Sequence, residues 1–211
     1  MTQIDTKSRI LNAAEQLFAK EGYHFTSLRT ITTTADANLA AVNYHFGSKE
    51  GLLKAVIERR LKPLNQRRAD RIEKILSTAA TEQRRPRTTD LLRAFIEPTL
   101  AFRNEGPGAV EFIALIGRAM NEPDETVRNC FIQQVMPLFI LLYEGLKKAR
   151  PELAEEILLT RLHFVLGAMS HVMCAGARPQ ISIPGIPQPL TETPQAEEMI
   201  RFACAGLEAP C

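Results

Sequence analysis

The sequence predicts an all-α fold on three observations. Apolar residues recur at helical spacing along most of the chain, and no segment shows convincing strand alternation. Capping residues and Gly or Pro breaks divide that pattern into about nine helical segments. One stretch, Asn38–Glu50 (NLAAVNYHFGSKE), sets a short helix just after another, Leu28–Ala35, across the turn Asp36-Ala37-Asn38. Two short helices joined by so tight a turn, with a third fixed behind them, have the geometry that lays one helix in a DNA major groove. The expected architecture is an N-terminal three-helix helix-turn-helix domain over residues 1–50 and a C-terminal helical bundle over 51–211.

Taken in order, the first helix is expected from about Lys7 to Glu21, with Thr6 as N-cap and Gly22 as stop. Ile10, Ala14, Leu17 and Phe18 give it one apolar face, over which Tyr23 and Phe25 close. Thr26 is placed to cap a second helix, Ser27–Ala35, with Leu28, Ile31 and Ala35 inward and Arg29 and Thr32–Thr34 outward. Threonines are poor helix formers, and these hydroxyls could reach phosphates or could simply be tolerated on the surface. Asp36 falls where the turn needs a left-handed residue, which Asp accepts better than most.

Asn38 then caps the third helix, in which Val42 and Phe46 point inward. Leu39, Ala40, Ala41, Asn43 and Tyr44 point outward, a surface small enough to approach base edges closely. Asn43 suits a bidentate pair with adenine, and Leu39 or Ala40 suits contact with a thymine methyl. Tyr44 and His45 are within reach of the DNA backbone. Ser48 caps a fourth helix beginning at Lys49, whose free amides and positive dipole end suit a phosphate. That helix runs on through Pro63 to about Leu76, long enough to join two domains.

Residues Thr78–Thr89, with Arg84, Arg85 and Arg87, read as a connecting loop. Helices follow at Asp90–Arg103, bent by Pro98, at Gly108–Met120, and at Pro123–Ala149, kinked by Pro137. Glu152–Gly176 is the most apolar helix, and one apolar nearly all round is buried on all sides, here by a second subunit. The proline-rich segment Arg178–Thr193 is an extended loop before a last helix from Thr193 to about Gly206.

Charge is divided between the halves. Residues 1–103 carry 18 Lys/Arg against 11 Asp/Glu, and residues 104–211 carry 8 against 13. A basic front and an acidic rear suit a polyanion-binding module joined to something else. Residues 1–50 nevertheless balance at 5 of each sign, so the excess lies in Lys54–Arg87. The most apolar stretch, Met136–Tyr143, is too short to span a bilayer, and no secretory signal is expected. Cys130, Cys174, Cys204 and Cys211 are scattered and read as reduced thiols of a cytoplasmic protein.

Motifs for catalysis are thin. A phosphate-cradling Gly-rich loop, a nucleophile elbow and a His-Glu-x-x-His zinc helix are all missing from the sequence. His171 and Cys174 at i, i+3 lack further ligands nearby in sequence, so no metal, cofactor or catalytic residue is expected. Arg118, within an apolar helix, is the candidate to pair with the carboxylate or phosphate of an apolar ligand, or else snorkels to solvent.

The motifs AAEQLFAKEGY, TSLRTIT, the turn and HFGSKEGLL, from Ile10 to about Val56, resemble the TetR/AcrR family of bacterial transcriptional regulators. The string NLAAVNYHFGSKE looks like its fatty-acid-responsive, PsrA-like subgroup. The resemblance implies a homodimer that binds a palindromic double-stranded DNA operator and answers to a small-molecule effector. By position it gives Thr26, Arg29, Asn38, Leu39, Ala40, Ala41, Asn43, Tyr44, His45 and Lys49 DNA-contacting or helix-positioning roles. The last two helices would form the dimer interface, through His163, Leu166, Met169, Val172, Met173, Met199, Ile200 and Ala203. The sequence departs from the family pattern at Asn43, where an aromatic is usual, and at Asp36 and Ala40, where glycines are usual. The expected function is a ligand-responsive repressor released by an apolar effector such as a fatty acid or acyl-CoA. The alternative is an all-helical lipid carrier or enzyme with a structural head.

Overall fold

The computed structural model describes residues 5–106, 108–109, 112–113, 115, 125–175, 185, 187 and 192–210. Among them are eight α-helices and no strand: α1 (Thr6–Glu21), α2 (Leu28–Thr34), α3 (Leu39–Phe46), α4 (Lys49–Thr81), α5 (Thr88–Ala101), α6 (Glu125–Ala149), α7 (Glu155–Ala175) and α8 (Glu192–Glu208). A 3-10 turn, Phe102–Asn104, follows α5, and Ala109, Phe112, Ile113 and Leu115 are helical. No helix among the described residues is long and apolar enough to cross a membrane.

In the head, side chains close each helix start. Asp5, rather than Thr6, caps α1, accepting from the Ser8 amide at 2.8 Å. Ser27, not Thr26, caps α2, accepting from the Thr30 amide at 3.0 Å. Asn38 and Ser48 cap α3 and α4, accepting from Ala41 N at 2.8 Å and Gly51 N at 3.0 Å. Ile10, Ala14 and Phe18 of α1, Ile31 of α2, Val42 of α3 and Leu52, Leu53 and Val56 of α4 make the core beneath these caps. Tyr23 packs on Phe18, but Phe25 is exposed, because the chain is already turning away from α1 there.

The α2 threonines behave differently from the expected outward row. Thr32 is buried, its hydroxyl donating to the Arg29 carbonyl, and the Thr34 hydroxyl donates to the Thr30 carbonyl. Back-bonding of this kind lets β-branched hydroxyl residues sit in a helix at small cost.

Helix α4 continues past Pro63 to Thr81, further than the apolar spacing indicated, and carries the body. It packs against α5 and α6, and α5 in turn packs against α8. Arg93 of α5 and Glu197 of α8 form a two-bond pair at 2.5 and 2.9 Å. That pairing holds Glu197 below the usual carboxylate range and raises Arg93. Arg161 of α7 donates to the carbonyls of Leu207 and Ala209, capping the C-terminus of α8 where a cation is favoured. The start of the helix expected at Pro123 and the proline-rich segment 178–193 lie largely outside the described residues.

One close approach fixes how α4 leaves α3. At Gly51, a Cβ would come 2.1 Å from the Phe46 carbonyl oxygen, so a side chain would force the two helix ends apart. Gly51→Ala is expected to cost about 2 kcal/mol or more, a steric change at a special backbone position. Thermal unfolding would register that as a fall of roughly 4–8 °C for a chain of this size.

Candidate nucleic-acid interface

The exposed face of α3 arises from its shortness and its two caps. Val42 is wholly buried and Phe46 half-buried, which turns Leu39, Ala40, Asn43, Tyr44 and His45 to solvent, with Ala41 half-buried between them. Tyr44 is 86% exposed, and its ring meets His45 edge-on at 5.0 Å. A large aromatic this exposed is available to an outside partner. Arg29 of α2 is also exposed.

The turn before α3 has the expected left-handed residue: Asp36 has φ 46°. Its carboxylate accepts from Arg9 Nη1 at 3.1 Å, tying the turn to α1. Thr6, Arg9, Asn38, Ala40, Ala41, Tyr44 and His45 surround a shallow, open groove beside this pair. Asn38 is exposed, but its side-chain oxygen is engaged by Ala41 N, so it positions α3.

Two expected residues stand differently. Thr26 is fully buried and its hydroxyl donates to the Gly22 carbonyl at 2.8 Å, so it anchors the α1–α2 connection. Lys49, at the first position of α4, holds its ammonium 4.3 Å from the centre of the Tyr23 ring. Partial burial lowers its pKa, and the cation–π contact fixes the charge at the helix N-terminus, near the free first-turn amides.

The basic excess of α4 does not form a free cationic stripe. Arg59 and Arg60 both grip the buried carboxylate of Glu15 from α1, Arg60 with Nε at 2.9 Å and Nη2 at 2.5 Å. Arg59 also donates to Asn12 at 2.8 Å. Arg67 pairs with Glu105, Arg71 with Glu97, Arg84 with Glu82, and Arg85 with Glu152. The pairs of Arg59, Arg60, Arg67 and Arg71 bind α4 to α1 and to the body, and sequence counting could not separate any of these from phosphate-binding charge.

The body holds a cavity of about 70 Å³ between α4, α5, α6 and α7. Leu166, Met169 and Met173 of α7 line it, and Met169 and Met173 are buried within the subunit. Met199, Ile200 and Ala203 of α8 are likewise buried, α8 packing on α5. These five residues, expected from sequence at a subunit interface, are buried within this chain. Hydrophobicity marks burial without saying which neighbour provides it. The apolar side chains left outside on these helices are Leu159, Phe164 (70% exposed) and Phe202 (71%), with His163 exposed and Leu166 and Val172 half-buried. Arg118, the expected ligand partner, lies outside the described residues.

A different arginine lines the cavity. Arg68 of α4 is 4% exposed, and its position was legible: Leu61, Leu64, Arg68 and Ile72 follow helical spacing along the apolar stripe.

A capped helix-turn-helix head with an exposed small-residue third helix, joined by one long helix to an all-helical body, defines a DNA-binding regulator by its architecture. The comparisons agree. Residues 10–56 match the model of the tetR family of bacterial regulatory proteins, and residues 93–206 match the tetracyclin repressor-like C-terminal domain. The chain belongs to the TetR family. It is 24% identical over 178 residues (84% of this chain, 80% of the relative) to "Probable HTH-type transcriptional regulator YttP" of Bacillus subtilis (strain 168). It is 39% identical over 64 residues, 30% of each chain, to the HTH-type transcriptional repressor NicS of Pseudomonas putida. In fold it is similar to the fatty acid degradation regulator FadR from Bacillus halodurans, with TM-score 0.65, 14% identity and 100% of both chains covered.

The Glu15 clamp sets the seating of the head on α4. Glu15→Gln would leave two guanidinium groups close together without their carboxylate. Because both arginines keep a quarter or more of their side chains in solvent, the cost should fall below that of a fully buried pair, at about 2 kcal/mol. Differential scanning calorimetry checks it. Glu15→Asp, which keeps the charge, should recover part of the loss.

Proposed function

We propose that this TetR-family protein is a ligand-responsive repressor, binding a palindromic operator as a homodimer in the cytoplasm and released by a small apolar effector. The observation that carries the DNA-binding part is the outward face of α3, from Leu39 to His45, held by the Asn38 cap and the left-handed Asp36. Asn43 reads a base, Leu39 and Ala40 meet thymine methyls, and Tyr44, His45, Arg29 and Lys49 position the head on phosphates. Asn38, Ala41 and Thr26 act through the placement of α2 and α3. Two recognition helices about one helical turn apart, roughly 34–36 Å, would meet successive half-sites.

The dimer surface in this reading is the exposed apolar face of α7 and α8 around Phe164 and Phe202, together with Leu159 and His163. Two phenylalanines this exposed on neighbouring helices support it, since an isolated chain gains nothing by hydrating them. An effector in the body cavity would favour a head spacing that no longer fits both half-sites, which needs a differential affinity of only a few kcal/mol. The PsrA-like string in α3 and the fold likeness to FadR favour an effector of the fatty-acid or acyl-CoA class.

Gel-shift titration against the region upstream of its own gene tests the reading; binding that is neither sequence-selective nor salt-sensitive would count against it. Asn43→Ala should relax preference at one base pair by about 1–3 kcal/mol. Lys49→Ala should weaken all sequences alike and shallow the salt dependence. Phe202→Asp with Phe164→Asp should give a monomer in light scattering and abolish cooperative occupancy of the two half-sites, whereas Ile200→Ala should instead lower thermal stability.

A further inference from the structure

We propose that Arg68 is the counter-charge for the carboxylate of a compact apolar acid bound in the body cavity, so that the effector is a free acid and not its thioester. The inference rests on the reading of the body as the effector-binding half, and it names the head group that half selects.

Among the described residues the cavity lining is apolar except at Arg68 and Thr99. It includes Phe95, Phe102, Phe112, Phe131 and Phe139. The Thr99 hydroxyl is engaged, donating to the Phe95 carbonyl at 3.1 Å. Arg68 Nη1 donates to Asn65 Oδ1 at 3.1 Å, and the Asn65 amide is itself held by the Gln134 carbonyl at 2.8 Å. That chain of bonds fixes the guanidinium plane. Its Nε is buried with no hydrogen-bond partner.

No carboxylate among the described residues pairs with Arg68. Beyond the Asn65 bond, its compensation is the face of Phe95, with the guanidinium carbon 4.6 Å from the ring centre. Burial, with the like charge of Arg67, pushes its pKa down to about 9, so it remains a cation at neutral pH without a counter-ion. A buried charge with an empty donor and no carboxylate partner among the described residues is costly. A carboxylate supplies one negative charge and accepts along a guanidinium edge. A thioester carbonyl supplies no charge there, and the phosphates of coenzyme A are too hydrated for a lining of phenylalanines.

The test is isothermal titration and thermal shift on the full-length protein with octanoate and phenylacetate, each beside its amide, and with octanoyl-CoA. Wild type should be stabilised by at least one acid and should bind the matching amide roughly tenfold more weakly, the size of one charge-assisted bond. Arg68→Met should remain folded with an equal or higher melting temperature and should no longer distinguish acid from amide. Arg68→Lys, keeping the charge, should retain part of the preference. Equal binding of acid and amide by wild type, retained preference in Arg68→Met, tighter binding of octanoyl-CoA than of octanoate, or no binding of either acid at millimolar concentration would each overturn the proposal. Should Arg68→Met fail to fold, the acid-against-amide comparison on wild type decides alone. Operator binding by the unliganded wild type, measured in parallel, separates failure of this inference from failure of the regulator reading.

Discussion

The seating of the head depends on one carboxylate. Glu15 lies in the buried face of α1, among residues otherwise apolar, and it is tolerated there because Arg59 and Arg60 of α4 close on both its oxygens. A third segment meets them: a Cβ at Gly108, which has φ 78°, would sit 3.2 Å from a Glu15 oxygen and 3.5 Å from Arg60. Helix α1, the middle of α4 and the chain leading out of α5 therefore converge on a single charge cluster. Breaking a pair of this kind is far costlier than never having built it, which makes the cluster a fixed joint.

From that joint α4 extends in both directions as one continuous helix. Its first turn, made possible by Gly51, abuts the end of α3, and about 28 Å further along, at 1.5 Å per residue, Arg68 reaches the cavity. The same helix thus touches the end of α3, the clamp and the cavity. A rigid element in contact with all three can convert a change of packing at one end into a change of position at the other. Pro63 does not interrupt it, since neighbouring packing on both sides holds the helix through the missing amide.

Charge illustrates why a count along the chain misleads. The surplus of Lys and Arg between Lys54 and Arg87 suggested polyanion affinity, but Arg59, Arg60, Arg67, Arg71, Arg84 and Arg85 each face a carboxylate of this same chain. The acids come from α1, from α5 and the residues after it, and from the loops around α4 and α7, distant in sequence for the most part. Lys49, at the start of α4, is a different case, with its ammonium held over the Tyr23 ring.

By itself the sequence determined the all-helical class, the helix-turn-helix head and its caps at Asn38 and Ser48, and the left-handed Asp36. These follow from interactions within a few residues, where periodicity, capping and turn chemistry act directly. It also marked α7 and α8 as rich in apolar residues, but not which of those side chains are buried or against what. Only the tertiary structure decided that Met169 and Met173 face a cavity, that Ile200 and Ala203 are buried in a helix packed on α5, and that Phe164 and Phe202 remain outside. The same holds for Thr26, turned inward to Gly22, and for Arg68, whose place on an apolar stripe was visible but whose missing partner was not. Burial and charge pairing are settled between segments far apart in the chain, and local spacing carries no record of which segments meet.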